Sequence, residues 1–275
     1  MPDGLRYWFR RLSLHGIGGV IASADGLLNS TMTSRLKAHA VKAVFFDAVG
    51  TLLIPHPPAA EVYADCGRQF GADLDISTVR QRFRQAMVKP WGPKTSEDLE
   101  RQRWRDVVTN VYRELPDAGG ALFEALWEHF TEPQSWRLAE GVADLWIRLQ
   151  QLGIQLGIAS NFDDRLKHVC AGWPPLDHCS LIFCSAQLGY AKPHVTFFRT
   201  IQQQIGIPPH ELLMVGDDWE KDYRGATQCG WQAVWVSSKR APKLSGNADS
   251  VVRIFKLAEL GPLLANRDES DSRQL

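Results

Sequence analysis

The sequence has no uninterrupted apolar run of about 18 residues, so no membrane-spanning helix and no membrane partner are expected. It has no net charge, with Lys+Arg and Asp+Glu both at 31. That balance argues against a general electrostatic grip on nucleic acid, and no nucleic-acid partner is expected. It has no C-x-x-C pair. Its five cysteines, Cys66, Cys170, Cys179, Cys184 and Cys229, are odd in number and scattered, which argues against a zinc or redox site. Reduced thiols in a cytoplasmic protein are the simpler reading. Glycine (22) and proline (15) are not in excess, which excludes collagen-like and low-complexity classes, and no internal repeat is visible. What is present is 44% apolar and 23% charged residues over 275 positions. That composition excludes a disordered chain and suffices for a sizeable core in one large or two small domains.

Residues 1–39 differ from the rest and are expected to be an extension, either unstructured or a targeting segment. Arg10-Arg11 ahead of a weak apolar stretch, with Ala22-Ser23-Ala24 beyond it, suggests a twin-arginine export signal. His15 and the glycines of Gly16-Ile17-Gly18-Gly19 weaken that reading, and Met32 is an alternative start. The glycine cluster is not a dinucleotide fingerprint, since no strand precedes it.

From Val41 the pattern becomes that of an α/β domain. Short apolar runs at 41–46, 154–159, 212–215 and 233–236, and a weaker one at 181–184, read as strands buried on both faces of a parallel sheet. Between them, Val142, Leu145, Trp146, Leu149 and Leu152 fall at helical spacing, as do Phe197, Phe198, Ile201 and Ile205. Strands alternating with helices predict a doubly wound, Rossmann-like parallel sheet that binds ligands at the strand C-terminal ends. The core is expected over 40–56 and 134–265. Residues 57–133 break the alternation with stripes for four helices, at Val62, Cys66 and Phe70, at Val79, Phe83 and Met87, at Trp104, Val108, Val111 and Tyr112, and at Leu122, Leu126 and Phe130. This predicts an inserted helical subdomain whose stripes form its own core. Residues 238–250 read as a polar loop and 266–275 as a disordered tail.

Four constellations sit at or just beyond predicted strand ends. Asp47-Ala48-Val49-Gly50-Thr51 puts a carboxylate where a nucleophile or metal ligand is exposed. Ser160-Asn161-Phe162-Asp163 offers a hydroxyl and a backbone N–H to an anion, though a helix cap is an equal reading. Lys192-Pro193 puts an ammonium at the start of a helix, suited to phosphate. Gly216-Asp217-Asp218, followed by Asp222, brings carboxylates to one point without His or Cys, which suits a hard cation such as Mg²⁺.

Taken together, these motifs resemble the haloacid dehalogenase-like (HAD) hydrolase superfamily over Val41 to Leu264, and the helical insert resembles its C1-type cap. The phrases around Ser160 and from Gly216 to Ala226 narrow the resemblance to one group within it. The resemblance implies a Mg²⁺-dependent hydrolase with Asp47 as nucleophile. Mg²⁺ would lie between the Asp47 carboxylate, the Val49 backbone carbonyl and Asp217, supported by Asp222. Thr51, Ser160, Asn161 and Lys192 would bind phosphate on a small phosphorylated metabolite, with Ser160 and Lys192 also catalytic.

The chain departs from this pattern at Val49, where phosphatases of the superfamily usually carry a second Asp as general acid–base. Such catalysis contributes about 10²–10⁴-fold, so slow turnover or a good leaving group is expected. Asp218 and Tyr112 are candidate proton sources. A 2-haloacid dehalogenase needs no acid and no metal, but the resemblance gives it no Gly-Asp at the fourth motif. A phosphonatase would need a Schiff-base lysine, for which Lys89 and Lys94 are available. A non-catalytic binder is a further alternative. Specificity is expected from the insert and the loop Lys89-Pro90-Trp91-Gly92-Pro93-Lys94. Arg101, Arg103 and Trp104 are candidates there, each first read as a solvated or packed helix residue.

Overall fold

A computed structural model of the chain describes residues 36–88, 92–237 and 251–265. The readings for residues 1–35, for Lys89-Pro90-Trp91, for 238–250 and for the tail 266–275 lie outside the described residues.

The four expected strong runs and the weaker fifth form β1 (Ala43–Phe46), β4 (Gln155–Ser160), β5 (Ile182–Cys184), β6 (Leu212–Gly216) and β7 (Gln232–Val236). With a short strand β8 (Arg253–Ile254), which is too brief to leave a periodic signal, they make a six-stranded parallel sheet in the order β5-β4-β1-β6-β7-β8. Successive side chains on a strand alternate faces, so each strand feeds two cores. Val44 and Phe46 of β1, with Leu213 and Val215 of β6, enter one cluster. Ala43, Phe45, Leu212 and Met214 enter the other, closed by Phe197, Phe198 and Ile201 of the helix Val195–Ile205. Burial on both faces explains why these strands read as continuous apolar runs.

Two further strands, β2 (Leu53–Pro55) and β3 (Trp136–Leu138), pair antiparallel, Leu53 with Leu138 and Pro55 with Trp136. Between them the chain forms α1 (Ala59–Gln69), α2 (Ile76–Met87), α3 (Glu97–Val111) and α4 (Phe123–His129), the four expected helices. Their stripes largely do form a core: Tyr63 meets Phe83 edge-on at 5.2 Å, and Phe130 packs on Trp136 at 5.9 Å. Phe70 is an exception. It lies just past the end of α1 and is 40% exposed. The main core also reaches ahead of β1, since Leu36 is buried in it and Ala38–Ala40 form a short 3-10 turn.

Candidate active site

The parallel register puts the chemistry at one edge. Phe46, the last residue of β1, pairs with Ile158 of β4 and Val215 of β6. Asp47 therefore leaves β1 beside the end of β4 at Ser160 and beside Asp217, just past β6. Asp47 Oδ1 accepts from Ser160 Oγ at 3.0 Å and from Lys192 Nζ at 2.8 Å. The Lys192 ammonium also donates to Asp222 Oδ1 at 2.6 Å and to the Ala159 carbonyl at 2.8 Å. Its three N–H bonds are thereby used, so Lys192 grips the carboxylates rather than standing open to an anion. Asn161 fixes the lysine: its amide donates to the Lys192 carbonyl and its oxygen accepts from the Lys192 N–H, at 2.9 and 2.7 Å. The helix after Lys192 begins at Val195 with His194 as its cap, two residues later than Pro193 suggested.

Asp47, Asp217 and Asp222 are buried, and one carboxylate oxygen of each lies within 4.8 Å of the other two. Only glycine fits two adjoining positions. Gly50 has φ +95, and a Cβ there would come 2.9 Å from Asp217 Oδ2, while one on Gly216 would come 2.2 Å from Asp222 Oδ2. Burial, then the Asp47 and Asp222 charges, push the Asp217 carboxyl well above the usual range. Burial also pushes Asp222 up, to about 7, against the pull of Lys192. For Lys192 burial works against the charged form, but Asp222 and Asp47 outweigh it and hold the ammonium on. Among the described residues no cation pairs with Asp217. Burial and the mutual repulsion of three carboxylates crowded around one ammonium thus push Asp217 and Asp222 up, and the three are the donor set a hard divalent cation takes.

The edge opens into a cleft of about 470 Å³ that also borders the insert. Core residues Asp47, Val49, Ser160, Asn161, Lys192, Asp217 and Asp222 line it. Thr51 does not. Its hydroxyl is buried without a hydrogen-bond partner among the described residues. Of the candidate proton sources, Tyr112 also lies off the cleft. It is buried in the insert and donates to the Tyr63 carbonyl. Asp218 does line the cleft, but it caps the Glu220 and Lys221 N–H groups and pairs with Lys221 Nζ at 3.0 Å. Burial would raise its pKa; the Lys221 ammonium and N–H outweigh burial and hold it below the ordinary value, so it is a poor acid.

On the insert side, Arg103 and Trp104 line the cleft with Gly92 and Pro93, while Arg101 and Lys94 do not. Arg101 instead pairs with Glu124 and sits 4.8 Å over the Trp127 ring. Met87, Glu100, Val107, Phe162 and Lys221 also line the cleft, though the sequence reading gave none of them a site role. Helical periodicity put Met87 on a core stripe, and the position of Phe162 directly after Ser160-Asn161 was the one available signal. The insert is clasped to the core beside the lysine: Thr95 N–H donates to the Gly189 carbonyl at 3.0 Å, and Ala191 N–H to the Pro93 carbonyl at 2.9 Å.

Comparison with known proteins gives the family. The family model described as haloacid dehalogenase-like hydrolase matches residues 41–230. The mouse haloacid dehalogenase-like hydrolase domain-containing protein 3 is 30% identical, over 83% of this chain and 94% of its own length. A Thermus thermophilus phosphoserine phosphatase is 29% identical over 80% of this chain and 98% of its own. Among solved structures, a HAD phosphatase from Thermococcus onnurineus superposes with a TM-score of 0.55 at 24% identity, covering 82% of this chain and 98% of that one. A 2-haloacid dehalogenase from Pseudomonas syringae gives 0.58 at 21% identity, covering 82% and 99%. These structural likenesses speak to the fold alone.

Proposed function

Because the chain belongs to the haloacid dehalogenase-like hydrolase family, we propose that it is a Mg²⁺-dependent phosphohydrolase in which Asp47 is the nucleophile. One observation carries the reading. The Asp47 carboxylate is pinned through Oδ1 by Ser160 and Lys192, with Asp217 and Asp222 beside it. Pinning one oxygen orients the other for attack.

Asp47, the Val49 carbonyl and Asp217 would hold the cation, with Asp222 in support. Bound there, Mg²⁺ would supply positive charge that offsets the negative charge on the oxygens of the transferred phosphoryl group. Asp47 attacks phosphorus of a small phosphorylated metabolite, breaking the bond to the leaving oxygen and forming an aspartyl phosphate. Water hydrolyses that acyl phosphate, releasing inorganic phosphate and restoring the carboxylate. Ser160 and Lys192 hold the nucleophile and offset charge around the reacting centre. Asn161 acts through Lys192 by fixing its backbone. Val49 transfers no proton, and Asp218 is held ionised, so good leaving groups such as acyl or aryl oxygens are favoured. The helical insert serves as a cap whose clasp to the core closes the cleft.

Val49 would suit a 2-haloacid dehalogenase equally, since halide leaves unprotonated, but the carboxylate cluster around Asp217 favours phosphoryl transfer. Phosphate release, measured with and without Mg²⁺ for wild type and Asp47→Asn over acyl, aryl and sugar phosphates, tests the reading. Release that needs both Mg²⁺ and Asp47 is expected. Metal-independent halide release from a 2-haloacid would replace it with the dehalogenase. Silence with phosphate binding intact would leave a binding protein.

A further inference from the structure

The two sides of the cleft differ in what they can hold. Beyond the Asp47 edge, the charged side chains among the described lining residues are matched to each other. Lys221 pairs with Asp218, and Arg103 Nη1 pairs with Glu100 Oε1 at 2.6 Å. Arg103 also donates to the Thr95 hydroxyl and to the Gly92 and Lys94 carbonyls at 3.0, 3.2 and 2.6 Å, so its fork is committed within the insert. Besides Gly92 and Pro93, the remaining insert-side lining among the described residues is Met87, Trp104 and Val107, facing a space that Val49 and Phe162 border from the core. Trp104 and Phe162 also border a second, smaller chamber walled by Tyr63, Phe123, Trp127 and Phe130. The apolar wall is thus continuous with an aromatic interior.

Resting on the phosphohydrolase reading, we propose that the cleft selects phosphorylated compounds whose leaving group is aromatic, seated on Trp104 between Met87, Val107 and Phe162. An amino-acid or sugar leaving group would bring an ammonium, carboxylate or hydroxyls against this wall and leave them without partners, which costs binding. A ring buries its area there and finds tilted aromatic neighbours. The selection acts on binding and is separate from the leaving-group preference that Val49 imposes on chemistry.

Non-hydrolysable phosphonates separate the two effects, because no bond breaks. Affinities in Mg²⁺ are measured by calorimetry for methylphosphonate, naphthylmethylphosphonate and 2-amino-3-phosphonopropionate. The aromatic probe is expected to bind at least about tenfold tighter than either other. Trp104→Ala, or Trp104→Leu if the first fails to fold, should remove that gain and leave methylphosphonate within about twofold of wild type. Met87→Glu, at the half-buried end of α2, should weaken only the aromatic probe. Equal or tighter binding of the amino-acid probe, or a Trp104 variant that weakens all three alike, overturns the proposal. Binding of none of the three, methylphosphonate included, contradicts the phosphohydrolase reading itself and removes the proposal with it.

Discussion

The two walls of the cleft are built on opposite principles. The core wall is polar and buried. Asp47, Ser160, Lys192 and Asp222 share one hydrogen-bonded network; Asp47 and Ser160 sit at strand ends, and Lys192 and Asp222 come from the segments that follow β5 and β6. Among the described residues the insert wall is mostly apolar, and its one charged pair, Arg103 with Glu100, is satisfied internally. Polar networks out of water must be complete to be tolerated, so the core wall is rigidly specified. An apolar wall needs only volume and shape, so it can vary without unfolding the chain. The molecule thus separates what reacts from what fits.

The largest effect that sharpens this contrast is on the core wall. Asp47→Asn should lower Mg²⁺-dependent phosphate release by about 10³-fold or more while the chain stays folded, since asparagine still accepts from Ser160 and Lys192. Release that persists would break the contrast. Lys192→Met should instead strike stability, leaving Asp47 and Asp222 buried without their cation. Breaking such a pair costs about 3–5 kcal/mol, readable as a fall in the urea midpoint. Val49→Asp should restore a proton donor and raise turnover of alkyl phosphates about tenfold or more. The smallest effect belongs to the insert. Asp75 caps α2 by accepting from the Thr78 N–H at 2.9 Å. Its hydrogen bonds to the Ser77 hydroxyl, then the Thr78 N–H and hydroxyl, hold its carboxyl down to about 2 from an ordinary 3.8. Its folded-state value is depressed, so its contribution is complete above the ordinary value and fades as pH falls toward about 2. The stability gap between wild type and Asp75→Ala should close over that window in acid unfolding; a gap independent of pH would place the cap's effect elsewhere.

The contrast also explains what was legible in the sequence. Asp47, Ser160 and Asp217 each sit at or beside the end of an apolar run, so a linear motif carries both the residue and its place in the fold, and Lys192 is marked by the proline that follows it. The same periodicity that found the insert helices hid part of its function. Met87 and Trp104 lie on stripes that read as core, and which end of a stripe faces a cleft depends on tertiary packing. Arg101 and Arg103 are alike in sequence, yet one stacks on Trp127 and the other lines the cleft. Tyr112 looked able to donate a proton, but its stripe carried it into the insert core. Strands β2, β3 and β8 have two or three residues each and exist only through their partners. Lys221 gave no signal because a lysine on a helical turn is most often solvated.

The central claim is that phosphoryl transfer to Asp47 proceeds without a proton donor at position 49. Single-turnover phosphate release over a graded series of aryl phosphates, run for wild type and Val49→Asp, measures it most directly. The account predicts that the wild-type rate falls steeply as the leaving oxygen becomes more basic and that Val49→Asp flattens the dependence. Equally shallow dependence in both proteins would contradict it and point to a proton donor outside the Asp47 motif.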